Sequence, residues 1–217
     1  MTDTTSPAAQ RPDPDVTSTD ATSPDVGAFD PRPLLHAVFD QTGTLLAAIR
    51  PDQAQAPTPC PEWDVAGLVE HVQAVALRIA AVLDGRPFSS VPRQLPSTDW
   101  TADWAAGCAE AEDVLADDTT LTRMVTVPWG EVPGASAAAS YIGELAVHGW
   151  DLARATGLES LLNDELASAA LPAYQAKVPA EPRGGNIPFG PVVQVGPDAT
   201  PYERLVAWTG RDPGWTA

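Results

Sequence analysis

Between Gly143 and Gly157 the chain reads GELAVHGWDLARATG, and three of its side chains, Glu144, His148 and Asp151, are of types that bind or orient metal ions. Residues four apart on a helix lie one above the other, with Cβ atoms about 5–6 Å apart, so Glu144 and His148 can hold one ion between them. Asp151, three residues past His148, is close enough to bind or to orient a ligand as a carboxylate behind the ring. The residues around them have the apolar spacing of a buried helix, where charges are rare unless paired or metal-bound. A third ligand must come from another element, and His71 in PTPCPEWDVAGLVEHV is the best candidate, at the edge of its own apolar stripe. Two histidines and a carboxylate leave an open position for water or a substrate thiolate, the usual arrangement of catalytic zinc. Taken alone, the Glu-x-x-x-His spacing fits equally well a core histidine hydrogen-bonded inside the bundle with a glutamate on its flank.

The elements that would position these residues are helices. PRPLLHAVFDQTGTLLAAIR carries Leu35, Val38, Phe39, Thr42, Leu45, Leu46 and Ile49 at spacings of three and four, which predicts a first helix. After a proline-rich linker, Asp64 is a good N-cap for a second helix that carries Val65, Leu68, Val69, Val72, Ala76, Ile79 and Leu83 and ends near Gly85. A third follows in DWTADWAAGCAEAEDVLAD. In TRMVTVPWGEVPG, extended-chain residues around turn formers predict a short hairpin or crossover. Residues 135–156 read as a fourth helix with Gly157 as its C-cap. LLNDELASAALPAYQAK reads as a fifth, shortened by Pro172, and the loop-rich remainder holds one helical piece around Tyr202 to Trp208. The expected fold is all-α, a four-helix bundle whose sites form from side chains on facing helices.

Composition bounds the partners. The 217 residues are 44% hydrophobic, enough for one core, and carry a formal charge of −17 with a pI near 4.2. Phosphate backbones and anionic lipid surfaces are bound through clustered Lys and Arg, so nucleic acid and membrane are excluded as expected partners. No apolar run approaches the roughly 20 residues that span a bilayer. Cys60 and Cys108 are too few for a disulfide framework and lack the spacing of a cysteine zinc site, which fits a reducing cytoplasm. Residues 1–28, rich in Thr, Ser, Pro and Asp and without a secretory pattern, read as a disordered tail, and 29–217 as one domain.

Other side chains have more than one reading. His36, with Asp40 and Gly43 as helical neighbours, reads as surface. Cys60, between prolines before the second helix, could be reactive or near a metal; a small apolar residue in a rigid turn is the preferred reading. Cys108 reads as core, and Trp63 and Trp150 as core filling. Arg154, the candidate cofactor-binding residue, could meet an anionic substrate or pair with Asp151 on the surface. The 178–200 loop is long enough for a lid and equally suits plain packing over the bundle end.

PTPCPEWDVAGLVEHV, GELAVHGWDLARATG and the closing VAWTGRDPGW resemble the actinobacterial branch of the DinB-like metal-binding superfamily, related to mycothiol-dependent maleylpyruvate isomerase. The most specific elements are Trp63-Asp64-Val65 ahead of His71 and the run from Glu144 and His148 through Leu152. The resemblance covers about residues 29–217. It implies a DinB-like four-helix bundle in which His71, Glu144 and His148 hold a divalent metal, zinc first, with nickel and iron as other fits. It implies mycothiol as a thiol cosubstrate that becomes a thiolate nucleophile at the metal, since coordination deprotonates a thiol. Asp151, the candidate catalytic residue, would orient His148 or an incoming ligand. The isomerase carries a further C-terminal domain, whereas this chain ends soon after its Gly-Arg-Asp-Pro-Gly-Trp motif; the metal site is expected to carry over, and maleylpyruvate isomerisation is not. The expected function is thiol transfer to, or isomerisation of, a small electrophilic substrate. The alternatives are a non-catalytic metal-binding bundle, with a homodimer among its forms, and a metal-dependent hydrolase using activated water.

Overall fold

The computed structural model of the chain describes residues 29–184 and 189–217. The tail expected over residues 1–28 lies outside these, as does part of the 178–200 loop. Seven helices and one two-stranded hairpin follow one another along the described chain. The bundle consists of α1 (Arg32–Ala48), α2 (Val65–Leu83), α3 (Trp100–Leu115) and α5 (Gly134–Thr156). Around it, α1 packs on α3 and α5, and α2 packs on the same two, so α2 and α5 are neighbours across one long seam. A one-turn helix, α4 (Thr119–Thr122), leads into the hairpin of β1 (Met124–Val127) and β2 (Gly130–Pro133). Outside the bundle, α6 (Asp164–Lys177) packs on α5, and α7 (Pro201–Trp208) on α6 and α5.

The expected stripes make the core. Leu35, Val38, Phe39, Leu45 and Leu46 of α1 meet Leu68, Val69, Val72, Ile79 and Leu83 of α2, Trp104, Ala111 and Leu115 of α3, and Ala138, Ile142, Leu145 and Leu152 of α5. Contrary to the expectation that no apolar run approaches spanning length, α2 is apolar and long enough to cross a membrane by composition and length; it is buried almost all round in the bundle, which accounts for its apolar composition. Asp64 caps it as expected, its carboxylate accepting from the Gly67 N–H at 2.9 Å. This cap fixes the helical phase of His71, two turns on. Asp99 does the same for α3, accepting from Ala102 N at 3.1 Å.

The hairpin pairs Met124 with Pro133 and Val127 with Gly130, and turns Val125 and Val127 inward. It delivers the chain to the start of α5, which then runs unbroken to Gly157, where φ is +74°. The fifth expected helix begins only at Asp164, with Asn163 as cap, and continues through Pro172 to Lys177. Pro172 is exposed on this helix, while Leu166, Ala167 and Ala170 hold its other face in the core. Packing therefore carries the helix across a residue that would break it in isolation.

Candidate metal centre

The seam between α2 and α5 places His71, Glu144 and His148 side by side. One ligand atom from each lies within 4.8 Å of the others. His71 and His148 meet edge to face with ring centroids 5.0 Å apart, and His71 Nε2 is 3.5 Å from Glu144 Oε1. Ligands bonded to zinc at 2.0–2.1 Å in a tetrahedron are separated by about 3.4 Å, so the His71–Glu144 spacing is already that of a coordinated pair.

Hydrogen bonds settle which atoms face inward. His71 Nδ1 lies 2.8 Å from the carbonyl oxygen of Arg93, which can only accept. His148 Nδ1 lies 3.0 Å from Asp151 Oδ2, and an ionised carboxylate likewise only accepts. With Nδ1 committed as a donor, each ring in its neutral form presents a bare Nε2 lone pair. Burial acts to raise the Glu144 carboxyl, but a proton shared with His71 Nε2, the charge that His148 and His71 carry when protonated, and the Arg78 charge outweigh it and hold Glu144 below the usual carboxylate range. Burial pushes the His148 ring below its ordinary value despite the Asp151 bond, which favours the neutral form a metal needs. Three acceptors thus converge with no donor between them unless a ring takes a second proton. A divalent cation satisfies all three, so the donor set fits the metal that the sequence implies.

The support behind these ligands extends beyond the two helices. Asp151 is fully buried and is gripped by Arg211, whose Nη2 and Nε donate to Oδ2 and Oδ1 at 2.9 and 3.2 Å. Burial acts to raise the Asp151 carboxyl, but the Arg211 charge and the His148 bond keep it below the usual range. Arg211 follows Gly210, where φ is +88° and an added Cβ would stand 2.7 Å from Gly190 Cα. Only glycine suits both the left-handed backbone and the close approach, and that approach brings Arg211 to α5. On the other side, Trp63 stacks on His71 at 4.3 Å, and the Arg93 guanidinium lies 5.1 Å over the same indole. Trp63, expected to fill the core, is half-buried and walls the site; Trp150 is core.

Cys60, His148 and Asp151 form a second close cluster. Its positive charge comes from Arg211, and burial, with Asp151 beside it, pushes the Cys60 thiol up. The preferred turn reading describes the local structure, in which Thr58 Oγ1 accepts from Cys60 N at 3.1 Å. The turn nevertheless sets the sulfur beside the His148–Asp151 pair. Arg154 is not brought to the ligands: its guanidinium donates to the Trp215 carbonyl at 2.8 Å and to Glu159 at 3.0 Å, tying down the C-terminal segment. His36 is half-exposed and faces Glu112.

Three residues near the site escaped the sequence reading. Arg211 lies 60 positions beyond Asp151, and its only signal was the Gly-Arg-Asp-Pro-Gly-Trp motif. Arg78, seven residues after His71, shares its helical face, and its Nη1 is 4.0 Å from Glu144 Oε1. Tyr174 lays its ring on α5 at Gly143, where a Cβ would come within 2.4 Å of Cε2. Burial raises its phenol, with the Glu144 charge adding to the effect.

Comparison with known proteins gives the chain its family. The family model of the mycothiol maleylpyruvate isomerase N-terminal domain matches residues 35–153. The chain belongs to that DinB-like family. The match contains His71, Glu144, His148 and Asp151 and stops before Arg154 and Arg211. Two proteins of Mycobacterium tuberculosis, both called uncharacterized, from strains CDC 1551 / Oshkosh and ATCC 25618 / H37Rv, are each 32% identical over 185 residues. That alignment covers 84% of this chain and 98% of each relative. No solved structure matches. For this family member, membership carries a mycothiol-related, metal-binding function in coarse outline.

Proposed function

We propose that the chain is a metal-dependent enzyme, with zinc the first fit, that activates mycothiol for transfer to, or isomerisation of, a small electrophilic substrate. The observation that carries this reading is the convergence of His71, Glu144 and His148, one ligand atom of each within 4.8 Å of the others, with Nδ1 of each ring already committed. His71, Glu144 and His148 would hold the ion, and their number leaves a position open to a ligand. When bound, the ion supplies a cationic centre at which a thiol loses its proton and becomes nucleophilic.

The remaining contributions come from the chain itself. Asp151 holds the proton on His148 Nδ1, and Arg211 holds Asp151 in its ionised form. This relay keeps the His148 ring in one tautomer and one orientation. The Arg93 carbonyl does the same for His71. Trp63, stacked on His71, shields that ring from bulk water, which strengthens the electrostatic interactions beside it.

Metal content of protein purified without a histidine tag tests the reading. Wild type is expected to carry about one equivalent, and a Glu144→Ala/His148→Ala variant of equal secondary structure almost none. Equal, negligible metal in both would overturn it. With metal-loaded protein, formation of a mycothiol adduct or isomer from a panel of reactive electrophiles is the expected activity, and product mass separates it from hydrolysis.

A further inference from the structure

The charges around the three ligands do not balance, and the imbalance points to the chemistry of what binds there. Asp151 is neutralised by the two-pronged Arg211 contact. Arg93 is paired with Glu62 at 2.6 Å and lies over the Trp63 ring. Lys177, the only lysine, lies 5.7 Å from the Trp129 ring and donates to the Ser136 carbonyl. Arg78 differs from all of these. Its side chain is only 12% exposed, and its Nη2 is anchored on the Pro92 carbonyl at 2.9 Å. Its Nη1 points toward Glu144 Oε1 at 4.0 Å, too far for a hydrogen bond.

Resting on the metal reading above, we infer that Arg78 is a subsite for a carboxylate carried by the small molecule that binds beside the metal. A divalent ion adds two positive charges and draws the one negative charge of Glu144 to itself. Arg78 then has no anionic partner among the described residues. A thiolate in the open position removes one further positive charge, and one remains, on a nearly buried guanidinium. An uncompensated buried charge is costly, and a guanidinium with a free edge matches the two oxygens of a carboxylate. The anchored Nη2 holds that edge in place before any ligand arrives. The net charge of −17 makes a ligand-facing cation all the more specific, since the surface as a whole repels anions.

Protein loaded with Co2+ reports ligands in the open position through its visible spectrum, independently of turnover. 3-Mercaptopropionate is expected to bind about ten- to a hundredfold more tightly than 2-mercaptoethanol, the range of a charge-assisted hydrogen bond. In a second arm, succinate is titrated by calorimetry into protein saturated with 2-mercaptoethanol, which separates a carboxylate on the thiol from one on its partner molecule. Arg78→Gln should abolish whichever preference appears while holding the same cobalt stoichiometry. Arg78→Lys, which keeps the charge and loses the fork, should retain part of it and serves if Arg78→Gln fails to fold. Full cobalt loading with no carboxylate preference in either arm, or a preference indifferent to both substitutions, would overturn the subsite alone. Failure of wild type to take up cobalt or zinc would overturn the metal reading and the subsite with it.

Discussion

Replacing Arg211 by methionine tests whether the relay behind His148 is a buried ion pair or a surface decoration. Asp151 is fully buried and Arg211 nearly so, at 15% exposure of its side chain. Breaking a buried pair by removing one partner costs about 3–5 kcal/mol, because the remaining charge is left without compensation. The variant can escape part of this by taking up a proton. Protonating a carboxyl of ordinary value 3.8 at pH 8.5 costs about 6 kcal/mol, and protonating a ring of ordinary value 6.5 costs about 3 kcal/mol before its own burial. The cheaper route, a proton on His148 facing Asp151, sets the scale. Metal-free Arg211→Met should therefore lose about 3 kcal/mol at pH 8.5 by urea denaturation.

The sign of the pH dependence follows. In the wild type the Asp151 carboxyl is held below 3.8, so its contribution is present above that value and lost only as pH falls through the lowered one. His148 is also held below its ordinary value, so wild-type stability declines as pH drops beneath 6.5. In the variant, proton uptake relieves the bare charge, so the gap between the proteins should shrink toward about 1 kcal/mol by pH 6. The double variant Arg211→Met/Asp151→Leu removes both charges and should recover more than half of the loss. A cost below about 1 kcal/mol at pH 8.5, or a gap that widens as pH falls, would refute the argument.

The remaining predictions concern packing and thiol chemistry. Gly143→Ala drives a Cβ to within 2.4 Å of Tyr174 Cε2 and should cost about 1–3 kcal/mol, read as a lower melting temperature and relieved by adding Tyr174→Ala. Gly210→Ala strains a backbone at φ +88° against Gly190, and should raise amide exchange in residues 209–217 and lower metal affinity about tenfold by loosening Arg211. Cys60 is held above its ordinary value, and Cys108 is pushed up to about 12, in both cases first by burial. Iodoacetamide at pH 8 should leave both thiols of the folded protein largely unmodified and alkylate both in denaturant.

Much of the bundle was legible because its causes are local. The stripe on α1, the Asp64 cap and the Gly157 terminus each act within a turn or two of themselves, and each holds in the structure. Pro172 marks the limit of such reading. It forbids a hydrogen bond locally, yet the helix passes through it because Leu166, Ala167 and Ala170 are buried against neighbours that no local rule describes. Arg154 marks the same limit at the site. Its helical phase allowed a role beside Asp151, but Trp215 and Glu159 come from segments whose course only packing determines.

The sequence by itself determined that Glu144, His148 and Asp151 share a helix side, since covalent geometry and a 3.6-residue turn leave side chains four apart no other relation. It also determined the second helix that carries His71. Only the tertiary structure decided that the α2 and α5 seam brings His71 Nε2 within 3.5 Å of Glu144 and sets His148 beside both. It also decided that Arg211, not Arg154, supplies the charge behind Asp151, and that Arg78 faces the ligands. The physical reason is range: helix geometry acts over a few residues, whereas the Arg211 contact spans 60 and depends on a loop held by the packed surfaces beneath it.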